Sequence, residues 1–197
     1  MPSLRRGGGP VGPRVVTRPW RNRALGLALA AAIYAADQWI KHLVTGPLGL
    51  TEVGDQLYLL PIFNFTRVNN FGVSLGFLEA TSSEMRWGLV ALTGLIALVV
   101  CGWLLRERKF ADIVPLGMIL GGALGNIQDR VLYGHVIDYA DLHFGHIRPF
   151  LIFNVADAAI SIGVALILVR ALFMREKPAA PQRGEQADET AENSTNA

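Results

Sequence analysis

Apolar residues in this chain gather into four long blocks separated by polar stretches. The blocks cover about residues 24–44, 87–105, 113–132 and 151–173. Each approaches the roughly 20 residues a helix needs to cross a hydrocarbon core about 30 Å thick. The pattern predicts an all-α membrane bundle of four transmembrane helices. Residues 46–84 form the longest stretch between blocks. Within it, 56–61 and 62–68 are rich in Leu, Tyr, Phe, Thr and Val, which favour short strands. Asn69-Asn70-Phe71-Gly72 supplies turn chemistry, and Gly76-Phe77-Leu78 leads out of it. A small β-sheet is expected there. A second, shorter loop over 133–150 carries Asp138, Asp141, His143 and His146.

Composition agrees with a polytopic membrane protein: 51% of the 197 residues are hydrophobic and only 17% charged, against about 25% charged in soluble domains. The net charge of +2 decides little, but the placement of the basic residues decides topology. Arg5, Arg6, Arg14, Arg18, Arg21 and Arg23 precede the first block. Arg106, Arg108 and Lys109 separate the second and third, and Arg170, Arg175, Lys177 and Arg183 end or follow the fourth. The positive-inside rule then places both termini and the 106–109 loop in the cytoplasm, and the loops 46–84 and 133–150 outside. Residues 1–23, rich in Gly, Pro and Arg, are expected to be a disordered cytoplasmic leader, with 24–173 the membrane domain and 174–197 a disordered cytoplasmic tail. A cleaved signal peptide is disfavoured, because Tyr34 would occupy the outer small position of a site at Asp37. No folded module accompanies the basic leader, so no nucleic-acid partner is expected.

Burying a charge in hydrocarbon costs at least about 2.5 kcal/mol, which makes an intramembrane acid a functional candidate. Asp37 and Lys41 are four apart on the outer half of the first span. Asn126, Asp129 and Arg130 share a face near the outer end of the third, and Asn154 and Asp157 lie near the outer start of the fourth. Asp138, just beyond the third span, can fold back over the same end. Salt bridges of Asp37 with Lys41 and of Asp129 with Arg130 account for four of these as scaffold. Asp138 and Asp157 have no such partner on their own segments, apart from the loop histidines. Two carboxylates brought close share a proton and can hold a water between an acid and a base. Cys101, the only cysteine, lies inside the second span and suits packing. No histidine pair has zinc-protease spacing and no serine sits in a nucleophile elbow, so neither metal nor cofactor is expected.

At these residues the chain resembles the bacterial lipoprotein signal peptidases, also called signal peptidase II. The matching blocks are Asp37-Gln38-Trp39-Ile40-Lys41, Asn70-Phe71-Gly72 through Leu78, the run from Gly121 to Arg130, Gly134-His135-Val136-Ile137-Asp138-Tyr139, and Phe153-Asn154-Val155-Ala156-Asp157-Ala158-Ala159-Ile160. They occur in family order over about 24–173. The resemblance implies a membrane aspartic endopeptidase that removes the signal peptide from diacylglyceryl-modified prolipoproteins, with membrane lipid around it and globomycin as inhibitor. It puts the catalytic pair on Asp138 and Asp157. The supporting positions fall on Asp37, Lys41, Asn70, Gly72, Asn126, Asp129, Arg130, Asn154 and Ala156. Val73, Ser74 and Leu75 depart from the family's alanines and Phe, which bears on substrate contacts. A small transporter or proton relay is the alternative, and would need acids reaching through both leaflets or an inverted repeat.

Overall fold

A computed structural model describes residues 19–72, 83–145 and 147–173. The helices are α1 (Pro19–Thr45), α2 (Ser83–Arg106), α3 (Phe110–Tyr133) and α4 (Val155–Phe173). The strands are β1 (Gln56–Leu60), β2 (Phe63–Asn70) and β3 (Val136–Leu142), joined in one antiparallel sheet of order β1-β2-β3. The chain divides into two compact units at Ile167, and the described part of the second is the last helical stretch of α4, 168–173. The leader before residue 19, Val73, Ser74, Leu75, the 76–78 exit, His146 and the tail after 173 lie outside the described residues.

Three helices, α2, α3 and α4, are long and apolar enough to cross a membrane. α1 is the longest at 27 residues, but Asp37, Lys41 and its N-terminal arginines dilute its apolar character. In α3, 56% of the membrane-length window is buried, against 11% in α2 and 17% in α4. α3 is therefore the inner helix, and the others show lipid-type side chains such as Leu95 and Leu98 outward. Its core contacts join Ala30 of α1 and Ala97, Val100 and Leu104 of α2 to Leu116, Ile119 and Leu120.

Glycines on α3 make this approach possible. A Cβ at Gly117 would lie 2.6 Å from the Gly26 carbonyl oxygen, and one at Gly121 2.5 Å from that of Ala30. A Cβ at Gly125 would lie 2.5 Å from Asp37 Oδ2. This small-xxx-small ridge lets the α1 and α3 backbones touch, as in other membrane helix pairs. It also carries Asp37 within reach of Asp129.

The sheet lies across one end of the bundle. Tyr139 and Ala140 pack with Val44, Leu50, Ile40, Phe63, Phe65 and Phe153. The rings of Phe65 and Tyr139 meet edge to face at 5.5 Å. The first two strands fall near their expected positions, but β2 runs on through Asn69 and Asn70, which were expected to turn; the bend comes at Gly72, with φ +92°. β3 was not foreseen, because Asp138 and Asp141 disguise a strand within a polar loop. Its pairing aligns Val68 with Asp138 and Asn70 with Val136. α4 begins at Val155 rather than 151, because Phe153 exchanges backbone hydrogen bonds with Ala140 at 2.7 and 3.1 Å and so stays extended.

Gly121→Val should drive its side chain into the Ala30 backbone and destabilise the protein by about 1–3 kcal/mol. Gly102→Ala, with nothing within 4 Å, should not. Melting temperatures of the two purified variants in detergent check this; equal values would contradict the close α1–α3 contact.

Candidate active site

Lys41 lies 3% exposed between two carboxylates, its Nζ 2.7 Å from Asp37 Oδ2 and 2.7 Å from Asp129 Oδ2. The i, i+4 bridge to Asp37 matches expectation. The second bridge corrects it: Asp129 pairs with Lys41 and not with Arg130. The reason is helix geometry, since adjacent residues 129 and 130 point about 100° apart on α3. Arg130 instead turns back toward the Asn126 carbonyl at 3.4 Å.

Each of these carboxylates also grips a backbone amide on another element. Asp37 Oδ1 accepts the Ala156 N–H at 3.0 Å, fixing the first turn of α4. Asp129 Oδ2 accepts the Ile137 N–H at 3.1 Å, fixing the start of β3. Gln38 completes the shell, donating to Asp129 Oδ1 at 3.0 Å and to the Gly125 carbonyl at 3.3 Å. Its own amide oxygen accepts from Gln128, which in turn accepts from the Tyr34 hydroxyl. A polar cavity of about 140 Å³ adjoins this cluster, lined in part by Gln38, Lys41, His42 and Asp129.

Two asparagines carry the network on to Asp138 and Asp157. Asn126 on α3 donates to Asp157 Oδ1 at 2.8 Å, and its oxygen accepts from Asn154 at 3.3 Å and from Lys41 at 3.4 Å. Asn154 donates to Asp138 Oδ1 at 2.7 Å. It also forms a reciprocal helix cap with Asp157: its Oδ1 accepts the Asp157 N–H at 2.9 Å, and Asp157 Oδ2 accepts the Asn154 N–H at 3.3 Å. Asn70 on β2 donates to Asp138 Oδ2 at 2.9 Å while accepting the Gly72 N–H at 2.9 Å. Asp138 is 2% exposed. Burial first, and the nearby Asp157 carboxylate second, push its carboxyl up to about 7.

All eleven residues singled out from the sequence thus occupy one end of the bundle, linked side chain to side chain or, for Gly72, Ala156 and Arg130, through a backbone group. Gln38, Gln128, Tyr34 and the Ile137 amide were missed. Their signal was available: Tyr34 and Gln38 are one turn apart in an apolar span, and amides buried there require partners.

Long apolar helices with two carboxylates held by amides at one end suit a membrane-bound enzyme whose polar site lies at the end of its bundle. The chain belongs to the signal peptidase II family: the model described as Signal peptidase (SPase) II matches residues 29–173. A lipoprotein signal peptidase of Sphingopyxis alaskensis is 50% identical over 152 residues, covering 77% of this chain and 87% of that protein. One from Rhizorhabdus wittichii is 48% identical over 155 residues, covering 79% and 90%. A bacterial membrane enzyme solved by the in meso method at 1.9 Å resolution superposes with TM-score 0.66 at 28% identity, covering 78% of this chain and 95% of that one.

Lys41→Met leaves two buried carboxylates without their cation and should cost about 3–5 kcal/mol of stability. Adding Asp37→Asn and Asp129→Asn removes the unpaired charge and should recover much of that loss. Thermal unfolding of the single and triple variants in one detergent checks this; a triple variant less stable than the single would contradict the shared-cation arrangement.

Proposed function

We propose that this chain removes signal peptides from diacylglyceryl-modified prolipoproteins, cutting before the lipidated cysteine by a water activated between Asp138 and Asp157. The observation that carries the reading is the joining of these two acids through contacting amides, Asn154 on Asp138 and Asn126 on Asp157. Membership of the signal peptidase II family and relatives named lipoprotein signal peptidase support the substrate.

In this mechanism Asp138 is the acid. Its carboxyl, pushed up to about 7, keeps a large protonated fraction under neutral conditions and can give that proton to the scissile carbonyl oxygen or the leaving amine. Asp157 is the base. It stands in the first turn of α4, where the helix dipole and the Asn154 N–H meet its charge. Asp157 takes a proton from the water, which attacks the carbonyl. Asn126, Asn154 and Asn70 hold the acids in position, and the Asp37–Lys41–Asp129 group holds the elements that carry them. Arg130, beside the pair, offsets their negative charge.

The same reading makes α1 a fourth span, its charges satisfied internally. Both termini then lie in the cytoplasm, and the sheet and active site face the extracytoplasmic side of a bacterial cytoplasmic membrane. The substrate's acyl chains stay in the outer leaflet, and globomycin occupies the peptide's place.

Asp138→Asn and Asp157→Asn should each lower cleavage of a diacylglyceryl prolipoprotein by about a thousandfold while leaving the melting temperature near that of the parent. Near-normal turnover in either would sink the two-acid mechanism. Because the acid must be protonated, kcat should fall as pH rises through about 7, approaching tenfold per unit above it. A rate profile flat to pH 9 would remove Asp138 from the acid's role. Globomycin should block the parent enzyme's cleavage in the same assay.

A further inference from the structure

The sheet extends beyond the helices it caps. Val136 stands just past the C-terminal end of α3, and Ala140 pairs with Phe153 at the entry to α4. Ile40 and Val44 of α1 pack with the middle of β3, at Tyr139 and Ala140. The strand therefore crosses the end of the bundle from α3 to α4 and α1, and continues. β3 runs two residues past Ala140 to Leu142, about 7 Å at roughly 3.3 Å per residue, and Phe144 follows just beyond the strand. Phe144 and Ile147 exchange backbone hydrogen bonds at 2.8 and 3.1 Å, and Gly145 has φ +62°. The His143 N–H donates to the Ile62 carbonyl at 3.0 Å, which seats the β1–β2 turn beside it.

These two loops expose large apolar side chains together. Leu60, Ile62, Phe144, Ile147, Phe150 and Leu151 are each between 44% and 83% exposed. Arg148 stands among them, 58% exposed, with Nε and Nη2 both at 3.1 Å from the buried Asp141. The bidentate pair holds the loop's guanidinium in one place at its surface. Leu151 lies four residues before α4, so the patch runs directly into a helix apolar enough to enter the membrane.

We propose that this overhanging end of the sheet is an interfacial anchor, seated in the headgroup–acyl boundary of the outer leaflet beside α4. The inference rests on the orientation proposed above. The occupant follows from continuity: the bilayer that surrounds α4 is the medium next to Leu151. Aromatic and aliphatic side chains around a fixed cation match the composition of such boundaries, where rings lie at headgroup depth and a guanidinium meets lipid phosphate. The anchor sets the height of β3, and so holds Asp138 at the membrane surface where a lipid-modified cysteine presents its peptide bond.

The test places single cysteines in a Cys101→Ser background at Ile147, at Leu60, at Leu98 on the outer face of α2, and at Arg108 in the α2–α3 turn. Each carries an environment-sensitive nitrobenzoxadiazole fluorophore in nanodiscs with lipids spin-labelled near the headgroup or deep in the acyl chain. The probes at 147 and 60 should show blue-shifted emission, with severalfold stronger quenching by the shallow label than by the deep one. Leu98 should show the reverse, and Arg108 should show water-like emission. Water-like emission at 147 and 60 would overturn the anchor. Shielding from both water and lipid label, in a preparation that sizes as a dimer, would overturn it in favour of a second copy. Quenching needs no turnover, so cleavage measured on the same samples tests the peptidase reading separately.

Discussion

One ammonium group holds the charged end of this bundle together. Lys41 is buried with Asp37 and Asp129 at equal distances of 2.7 Å, so one cation is shared by two carboxylates inside an apolar bundle, where a charge left without a partner is costly. Because each carboxylate spends its other lone pairs on a backbone N–H, the ion group also works as a joint. α1 supplies the lysine and one acid, α3 the other acid, and the amides of α4 and β3 close the ring. Helix packing brings these parts near; the charges fix their angles. The glycine ridge on α3 is a precondition, since a methyl group at Gly125 would occupy the space of the Asp37 carboxylate.

Amide side chains extend this joint to the acids beyond it. An asparagine has a donor end and an acceptor end, so it can join two carboxylates only if something else fixes which end faces which. Asn154 is fixed by the Asp157 N–H on its oxygen, which leaves its nitrogen for Asp138. Asn70 is fixed in the same way by the Gly72 N–H. The positive φ at Gly72 thus serves the site directly, since it turns that amide back onto Asn70.

Much of this was legible in the sequence, and the parts that were not share a cause. Blocks of apolar residues announce spanning helices, and an acid within one announces a site, because hydrocarbon tolerates neither by accident. The family blocks then placed the individual acids. What sequence could not give was partner choice. Asp129 stands next to Arg130 in the chain, yet adjacency on a helix separates side chains by a wide angle, and the true partner Lys41 lies on another helix. β3 was hidden for a related reason. Its two aspartates make it look like a solvated loop, but Asp138 turns into the site and Asp141 binds Arg148, so both are buried. The late start of α4 has a tertiary cause too: Ile152 and Phe153 suit a span as well as the residues after them, and only the pairing with Ala140 withdraws them from the helix.

The balance of forces on Asp138 explains why so polar a site sits under a sheet and not in open water. Two amide donors, from Asn70 and Asn154, favour its charged form, as does Lys41 at greater range. In water those donors would leave an ordinary carboxylate. Burial and the Asp157 charge act the other way and prevail, but the donors keep the excess modest, so the group comes to rest near neutrality. Without the amides the carboxyl would stand higher still, and in a wetter site it would stand lower. The sheet takes part in this compromise, because β2 brings the Asn70 amide to Asp138 and β3 holds the buried carboxyl beside Asn154.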